Sequence, residues 1–160
     1  MGLHWKREMN DQNSDQELIS ILTNTKRIAL VGASNKPDRP SYGVMQFLLR
    51  HGYEVVPVNP ALAGQEIHGQ KVVASLEEAG PFDMLELFRR PTEVLEPVQE
   101  AIKLGTKTIW MQLGVVNEQA AKEARKAGLA VVMNRCPAIE MPRLGIAGPD
   151  EQHSGVIKHT

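Results

Sequence analysis

The stretch that decides the fold is residues 27–35, RIALVGASN, followed by an amphipathic run from Ser41 and by EVVPVNP at residues 54–60. The run of four apolar residues before Gly32 is too short for a helix and predicts a buried strand. Apolar residues in the range 44–49 recur at helical spacing, and a second strand pattern follows. Strand, glycine turn, helix and strand in this order predict the opening of a nucleotide-binding βαβ unit.

The rest of the chain continues the alternation of strands and helices. The further predicted elements are a short helix after the S-x-x-E capping box at 14–17, a loop at 59–70, a brief strand at 72–73, a strand at 83–88, a helix from near Pro91, a strand at 108–111, a helix at 118–126 and a last strand at 129–133. This pattern predicts an α/β fold with a mainly parallel sheet of five or six strands and helices on both faces. Ligands of such sheets bind outside the carboxyl ends of the strands.

Composition bounds the class of protein. The 160 residues are 42% hydrophobic and carry a net charge of −1, with one cysteine, which favours one domain over residues 14–148 with flexible ends at 1–13 and 149–160. Dispersed Lys and Arg give no footprint for nucleic acid. We expect no membrane segment, no secretory signal and therefore a cytoplasmic location. The five histidines share no metal-ligand spacing, so we assign no metal.

The loop after the first strand is the first candidate site. Gly32 lets the backbone approach a ligand, while Ser34 and Ser41 offer hydroxyl groups next to the N-terminus of the following helix. Lys36 and Arg39 can neutralise a pyrophosphate or an additional ribose phosphate. The alternative is a tight turn with solvated charges. The combination favours a phosphate-bearing ligand.

The same loop departs from the dinucleotide fingerprint. Gly32 stands alone where G-x-G-x-x-G needs three glycines, and Asn59 and Pro60 stand where an NAD site places an acidic residue. The ligand is therefore expected to differ from NAD. An NAD(P)-dependent oxidoreductase is kept as an alternative, with Lys36 or Arg39 at a 2′-phosphate.

Three later loops are predicted to end at the same edge. Residues 57–60 offer an apolar shelf and one amide to an adenine or a ribose, although turn chemistry alone also explains them. Arg89 and Arg90 can hold an anion or be solvated. Residues 111–115 can line a channel for an uncharged arm or pack in the core. Cys136 is a candidate thiol or an inert buried residue.

With these residues in view, the chain resembles the small CoA-binding proteins of the Rossmann-like CoA-binding domain family, which are related to the CoA-binding domain of the succinyl-CoA synthetase α subunit. The resemblance covers about residues 23–146. It rests on VGAS at 31–34 with RPS at 39–41, VPVNP at 56–60, LFRRP at 87–91, WMQLGV at 110–115 and RCPAIE at 135–140. It implies a Rossmann-like three-layer sandwich that binds coenzyme A or an acyl-CoA.

The resemblance also implies which residues border the ligand. Those at the phosphates are Gly32, Ala33, Ser34, Lys36, Arg39 and Ser41; those at the adenosine are Val58, Asn59 and Pro60; those along the rest of the groove are Phe88, Arg89, Gln112 and Gly114.

Catalysis is a separate question, because fold and ligand do not establish chemistry. The related synthetase needs a second domain with a phosphorylated histidine, which we do not expect here, and no nucleophile with an adjacent base is evident in the sequence. We therefore expect non-catalytic binding for sensing, storage or delivery. A redox-linked carrier that forms a mixed disulfide between Cys136 and CoA is a further alternative. A protein partner or homo-oligomer is left open.

Overall fold

The computed structural model describes residues 13–149. In chain order its elements are α1 (Asp15–Asn24), β1 (Arg27–Val31), α2 (Pro40–Arg50), β2 (Glu54–Val58), a 3₁₀ turn (Pro60–Leu62), β3 (Glu66–Ile67), β4 (Gln70–Lys71), α3 (Leu76–Ala79), β5 (Met84–Leu87), a 3₁₀ turn (Pro91–Glu93), α4 (Leu95–Leu104), β6 (Thr108–Met111), α5 (Glu118–Lys126), β7 (Ala130–Val132) and α6 (Pro137–Leu144).

Five strands form one parallel sheet in the order β2-β1-β5-β6-β7, which confirms the predicted α/β fold. The chain passes from β1 to β2 on one side and then returns to place β5 on the other side of β1. This reversal is a topological switch point, where the connections leave a crevice outside the carboxyl ends of the strands. The ends of β1 and β5, at Val31 and Leu87, border that crevice.

Helices cover both faces of the sheet, so its central strands are apolar on both sides. Leu30 and Trp110 face a core built with α1, α2 and α6. Ala29, Leu85 and Ile109 face a second core built with α3, α4 and α5. Alternate residues of one strand thus enter different cores, which is the reason for the continuous apolar run that predicted a buried strand.

Local sequence explains several element boundaries. Ser14 caps α1 and receives a hydrogen bond from the Glu17 amide, while the Glu17 carboxylate accepts from the Ser14 amide, as the capping box predicts. Helix α6 was not predicted, and a 3₁₀ turn precedes α4 where the sequence predicted the helix itself.

The region between β2 and β5 differs most from the prediction. A two-stranded antiparallel hairpin, β3 with β4, lies inside the segment expected as loop. His68 and Gly69 join its strands at φ angles of 49° and 80°, the positive pair that tight hairpin turns need. The predicted strand at 72–73 is reduced to one parallel bridge from Val73 to Val58.

The ends of the described chain touch the fold. Asn13 Nδ2 donates to the Val131 carbonyl at 3.0 Å, and Pro149 is buried. The remainder of the ends predicted to be flexible, 1–12 and 150–160, lies outside the described residues. Within residues 13–149, none of the helices has the length and apolar character needed to cross a bilayer.

Candidate functional site

The glycine loop after β1 is held tightly against the loop after β5. Gly32 has φ of 87°, and a Cβ atom built on it would stand 2.1 Å from the Phe88 carbonyl oxygen. The Gly32 amide donates to the Val58 carbonyl at 3.1 Å, and the Phe88 amide donates to the Val31 carbonyl at 2.9 Å. Only glycine fits this position, since both the conformation and the close approach exclude a side chain.

Helix α2 begins at the crevice without a side-chain cap. Its N-cap residue is Arg39, which makes no side-chain hydrogen bond to the helix, and Pro40 follows in the first turn. The Ser41 side chain is buried there. Free N–H groups at a helix N-terminus and the helix dipole favour an anion.

The opposite wall comes from the loop after β6. Gly114 N donates to Asn134 Oδ1 at 2.7 Å, and Val115 N donates to the Gln112 carbonyl at 2.8 Å. Asn117 caps α5 and also donates through Nδ2 to the Pro91 carbonyl at 2.8 Å. These bonds fix the loop in place, which prepares the wall before a ligand binds.

Two grooves open at the carboxyl edge of the sheet. The first, which we call the Arg39 groove, has a volume of about 560 Å³. Its lining residues are Gly32, Ser34, Arg39, Pro40, Ser41, Phe88, Arg89, Arg90, Pro91, Glu93, Gln112, Leu113, Gly114 and Val115. Three arginines and one glutamate line it, together with several apolar side chains.

The second, which we call the Asn59 groove, has a volume of about 1010 Å³. Its lining residues are Val31, Gly32, Val58, Asn59, Pro60, Ala61, Ala74, Ser75, Leu76, Arg89, Thr92, Glu93, Leu95, Glu96, Pro97, Gln99 and Glu100. One arginine and three glutamates line it. Gly32, Arg89 and Glu93 belong to both grooves, which therefore meet at these residues.

The structure brings most of the predicted site residues to these grooves. Those in the Arg39 groove are Gly32, Ser34, Arg39, Ser41, Phe88, Arg89, Gln112 and Gly114, and those in the Asn59 groove are Val58, Asn59 and Pro60. Their role toward a ligand stays a prediction.

Three predicted residues line neither groove. The Ala33 methyl group packs in the core, and its carbonyl accepts from Asn59 Nδ2 at 2.8 Å. Lys36 is exposed, and its amide donates to Ser34 Oγ at 3.1 Å. Cys136 is buried at the start of α6. Only the Lys36 side chain is free to reach a ligand without a change in the core.

Two buried side chains carry oxygen atoms without a hydrogen-bond partner among the described residues. Glu86, in the central strand β5, is fully buried, and both of its carboxyl oxygens lack a hydrogen-bond partner among the described residues. Burial raises the pKa of Glu86 well above its ordinary value, and the nearby Cys136 raises it further. Gln112 Oε1 is also buried without a partner. Such groups cost stability unless something satisfies them.

Sequence reasoning missed Glu93 and Glu86. Glu93 stands four residues after Arg89, but Arg89 lies before the predicted helix, so the helical rule that pairs opposite charges four residues apart did not apply. Glu86 interrupts an apolar run, but its alternating pattern is typical of a strand with one exposed face. Among the described residues, no cluster of three or more His, Cys, Asp and Glu side chains forms a metal site. The grooves can hold an extended ligand with anionic and neutral parts.

Comparison with known proteins identifies relatives of the chain. A family described as CoA binding domain matches residues 26–142. The uncharacterized protein YneT of Bacillus subtilis is 39% identical over 124 residues, which are 77% of this chain and 90% of that protein. The alpha subunit of the ADP-forming acetate–CoA ligase I of Pyrococcus furiosus is 30% identical over 129 residues, 71% of this chain but 28% of that subunit.

Solved structures share the fold. A hypothetical protein from Pyrococcus horikoshii has a TM-score of 0.80 and 43% identity, covering 84% of this chain and 94% of that protein. A protein from Thermus thermophilus has a TM-score of 0.78 and 38% identity, covering 82% of this chain and 99% of that one. These matches extend across most of the described residues.

Proposed function

Since the chain belongs to the CoA-binding domain family, we propose that it binds coenzyme A or an acyl-CoA at the carboxyl ends of its sheet strands, without converting it. The observation that carries the proposal is that the matched region and the grooves coincide in the fold. The family match spans the whole sheet, and the grooves lie at the switch point where such a sheet binds ligands.

We place the phosphates of the ligand near Gly32, Arg39 and Ser41. Here an uncapped helix begins, and the groove has three arginines against one glutamate. Arginine pairs with phosphate through two parallel hydrogen bonds, which adds geometric specificity to the charge attraction. Lys36, exposed in the same loop, adds a further cation for the ribose phosphate.

The neutral parts of CoA then extend to either side. The adenosine occupies the Asn59 groove beside Val58 and Pro60, where three glutamates disfavour a phosphate. The pantetheine arm runs past Phe88 and Gln112, whose amide can pair with the amides of the arm. The pyrophosphate joins the two halves where the grooves meet.

Non-catalytic binding implies sensing, storage or delivery of the ligand, with the cytoplasm as the expected location. Two other functions stay as alternatives: an NAD(P)-dependent oxidoreductase, and a redox carrier that joins Cys136 to CoA. Cys136 is 5% exposed and lines neither groove, so a disulfide to a bound ligand requires movement of the loop before α6.

Isothermal titration of the ligand-stripped protein tests the proposal with CoA, acetyl-CoA, NAD, NADP and ADP. We expect CoA or acetyl-CoA to bind most tightly. Arg39→Ala removes a charged contact and is expected to weaken CoA binding roughly tenfold or more. Ser41→Ala tests the hydroxyl at the helix start and is expected to cost less.

Arg50→Ala is the matched control, because it removes the same charge at the opposite end of α2, where Arg50 is exposed. A helix of this length separates the two ends by about 15 Å. Preferential binding of NADP would replace the proposal with an oxidoreductase. A native protein that binds none of the five compounds would remove both readings.

A further inference from the structure

Arg89 stands at the junction of the two grooves. Its side chain packs against the glycine loop. A Cβ atom built on Gly32 would lie 3.2 Å from the Cδ atom of Arg89. Both Nε and Nη2 of its guanidinium group lie 3.3 Å from the same carboxylate oxygen, Oε1 of Glu93. The ion pair therefore spans the position where a ligand that occupies both grooves must pass.

The Arg89–Glu93 ion pair is one that another anion can displace. The Arg89 and Glu93 side chains are 40% and 41% exposed, and both contacts from the guanidinium group are long and end at a single carboxylate oxygen. Exposed pairs of this kind contribute little to stability. A phosphate offers guanidinium a two-pronged contact and a larger charge, so it is the stronger partner for Arg89.

Glu93 differs from the other glutamates at this edge of the sheet in the grooves that it lines. Glu96 and Glu100 line only the Asn59 groove, whereas Glu93 lines both. Arg39 and Arg90, the other two arginines of the Arg39 groove, form no ion pair with any residue in the range 13–149. Glu93 thus neutralises the one arginine that both grooves share.

We propose that Glu93 is a specificity-determining residue: it serves as the internal counter-ion of Arg89 until a phosphate-bearing ligand displaces its carboxylate. This inference rests on the proposed function, in which the pyrophosphate of CoA lies at the junction. Every anion must break the same ion pair to reach Arg89. A small anion that reaches Arg89 has fewer other contacts to offset that cost than CoA, which has contacts along both grooves. Glu93 therefore keeps small anions away from Arg89 in the empty groove.

The test compares Glu93→Gln with Glu77→Gln by isothermal titration with CoA and with inorganic phosphate. Glu77 is exposed on α3 and lines neither groove, so its substitution makes the same change in charge. We expect Glu93→Gln to tighten CoA binding about two- to fivefold, as loss of an exposed ion pair allows. Phosphate binding should become measurable or stronger in the same variant.

A double-mutant cycle separates the ion pair from the general field of the carboxylate. If Glu93 acts through Arg89, then Glu93→Gln has no effect on affinity in an Arg89→Ala background. The inference is overturned if Glu93→Gln weakens binding, if Glu77→Gln produces the same gain, or if the gain survives without Arg89.

The two proposals fail in different ways. If the native protein does not bind CoA, the proposed function fails, while phosphate binding that appears in Glu93→Gln and vanishes with Arg89→Ala still supports the role of Glu93. If CoA binds and Glu93→Gln changes neither CoA nor phosphate affinity, the proposed function stands and the inference about Glu93 is wrong.

Discussion

The Arg39 groove and the Asn59 groove share one edge of one sheet but carry opposite charge. Three arginines and one glutamate line the first, and one arginine and three glutamates line the second. The backbone places both grooves at the switch point, whereas the side chains decide which part of a ligand each accepts. An asymmetric ligand with charged and neutral parts is thereby oriented along the edge.

The two grooves also differ in their helix ends. Helix α2 opens onto the Arg39 groove without a side-chain cap. Helix α3 borders the Asn59 groove, and there Ser75 Oγ accepts from the Glu78 amide at 3.2 Å. A capped helix start has fewer free N–H groups to offer an anion. Backbone and side chains thus favour the same distribution of charge.

Replacing Gly32 by alanine is expected to destroy both grooves at once, because Gly32 lines each of them. The new Cβ would collide with the Phe88 carbonyl oxygen, and φ of 87° is strained for alanine. We expect loss of CoA binding and a decrease of roughly 2–4 kcal/mol in the free energy of unfolding. Urea denaturation and titration measure these effects.

Gly64→Ala is the control for Gly32→Ala. Gly64 has φ of 91° with nothing within 4 Å of the added Cβ, so it tests backbone strain without the collision. Equal losses of stability in the two variants would contradict the close approach of the loops after β1 and β5.

Glu86 offers a test of the buried, unpartnered carboxyl group in the central strand β5. Its folded-state pKa is raised above the ordinary 4.5 by burial, so the native protein binds the proton more tightly than the unfolded chain. The associated stability is full below the unfolded pKa and is lost as the pH rises toward and through the folded pKa. We expect Glu86→Gln to remove this loss.

Urea denaturation between about pH 5 and about pH 9 measures the effect. The advantage of Glu86→Gln over the native protein should grow with pH to on the order of 1–3 kcal/mol. Glu77→Gln, which replaces an exposed carboxylate, is the control for the change in charge alone. Parallel profiles for Glu86→Gln and the native protein would show that Glu86 has an ordinary pKa.

Asn59→Ala is expected to act on the adenosine half of the ligand. The Asn59 side chain donates to the Ala33 carbonyl and accepts from the Ala61 amide at 2.9 Å, so it joins the end of β2 to the glycine loop. We expect binding of both ADP and CoA to weaken about tenfold. Binding of 4′-phosphopantetheine, which lacks adenosine, should not change. Asn59→Asp retains the contact to Ala61 and serves as the conservative control.

Gln112→Ala is expected to act on the other half, with a smaller effect. Loss of its amide should weaken binding of CoA and 4′-phosphopantetheine about fivefold and leave ADP binding unchanged. Gln119→Ala, at an exposed position of α5, controls for loss of a glutamine elsewhere. If Asn59→Ala and Gln112→Ala weaken the same compounds, the two grooves do not divide the ligand as proposed.

Much of the fold was predictable because its signals are local. Two such signals are the apolar run IALV at residues 28–31 and the capping box at Ser14. Each depends on a few neighbouring residues, and the structure confirms the elements that they predict. The hairpin around His68 was missed, since its strands have two residues each and its turn uses an uncommon residue at positive φ. Helix α6 was missed because it has prolines at positions 137 and 142, and a proline inside a segment argues against a helix there.

The amino-acid sequence by itself determined the alternation of strands and helices, the glycine at the tight turn and the set of residues at the strand ends. These depend on spacing along the chain, which sequence patterns record. Only the tertiary structure decided that Ala33 packs in the core, that Glu86 is fully buried and that Arg89 and Glu93 line both grooves. The reason is that strand order and packing bring together residues from distant segments, and no local pattern encodes those contacts.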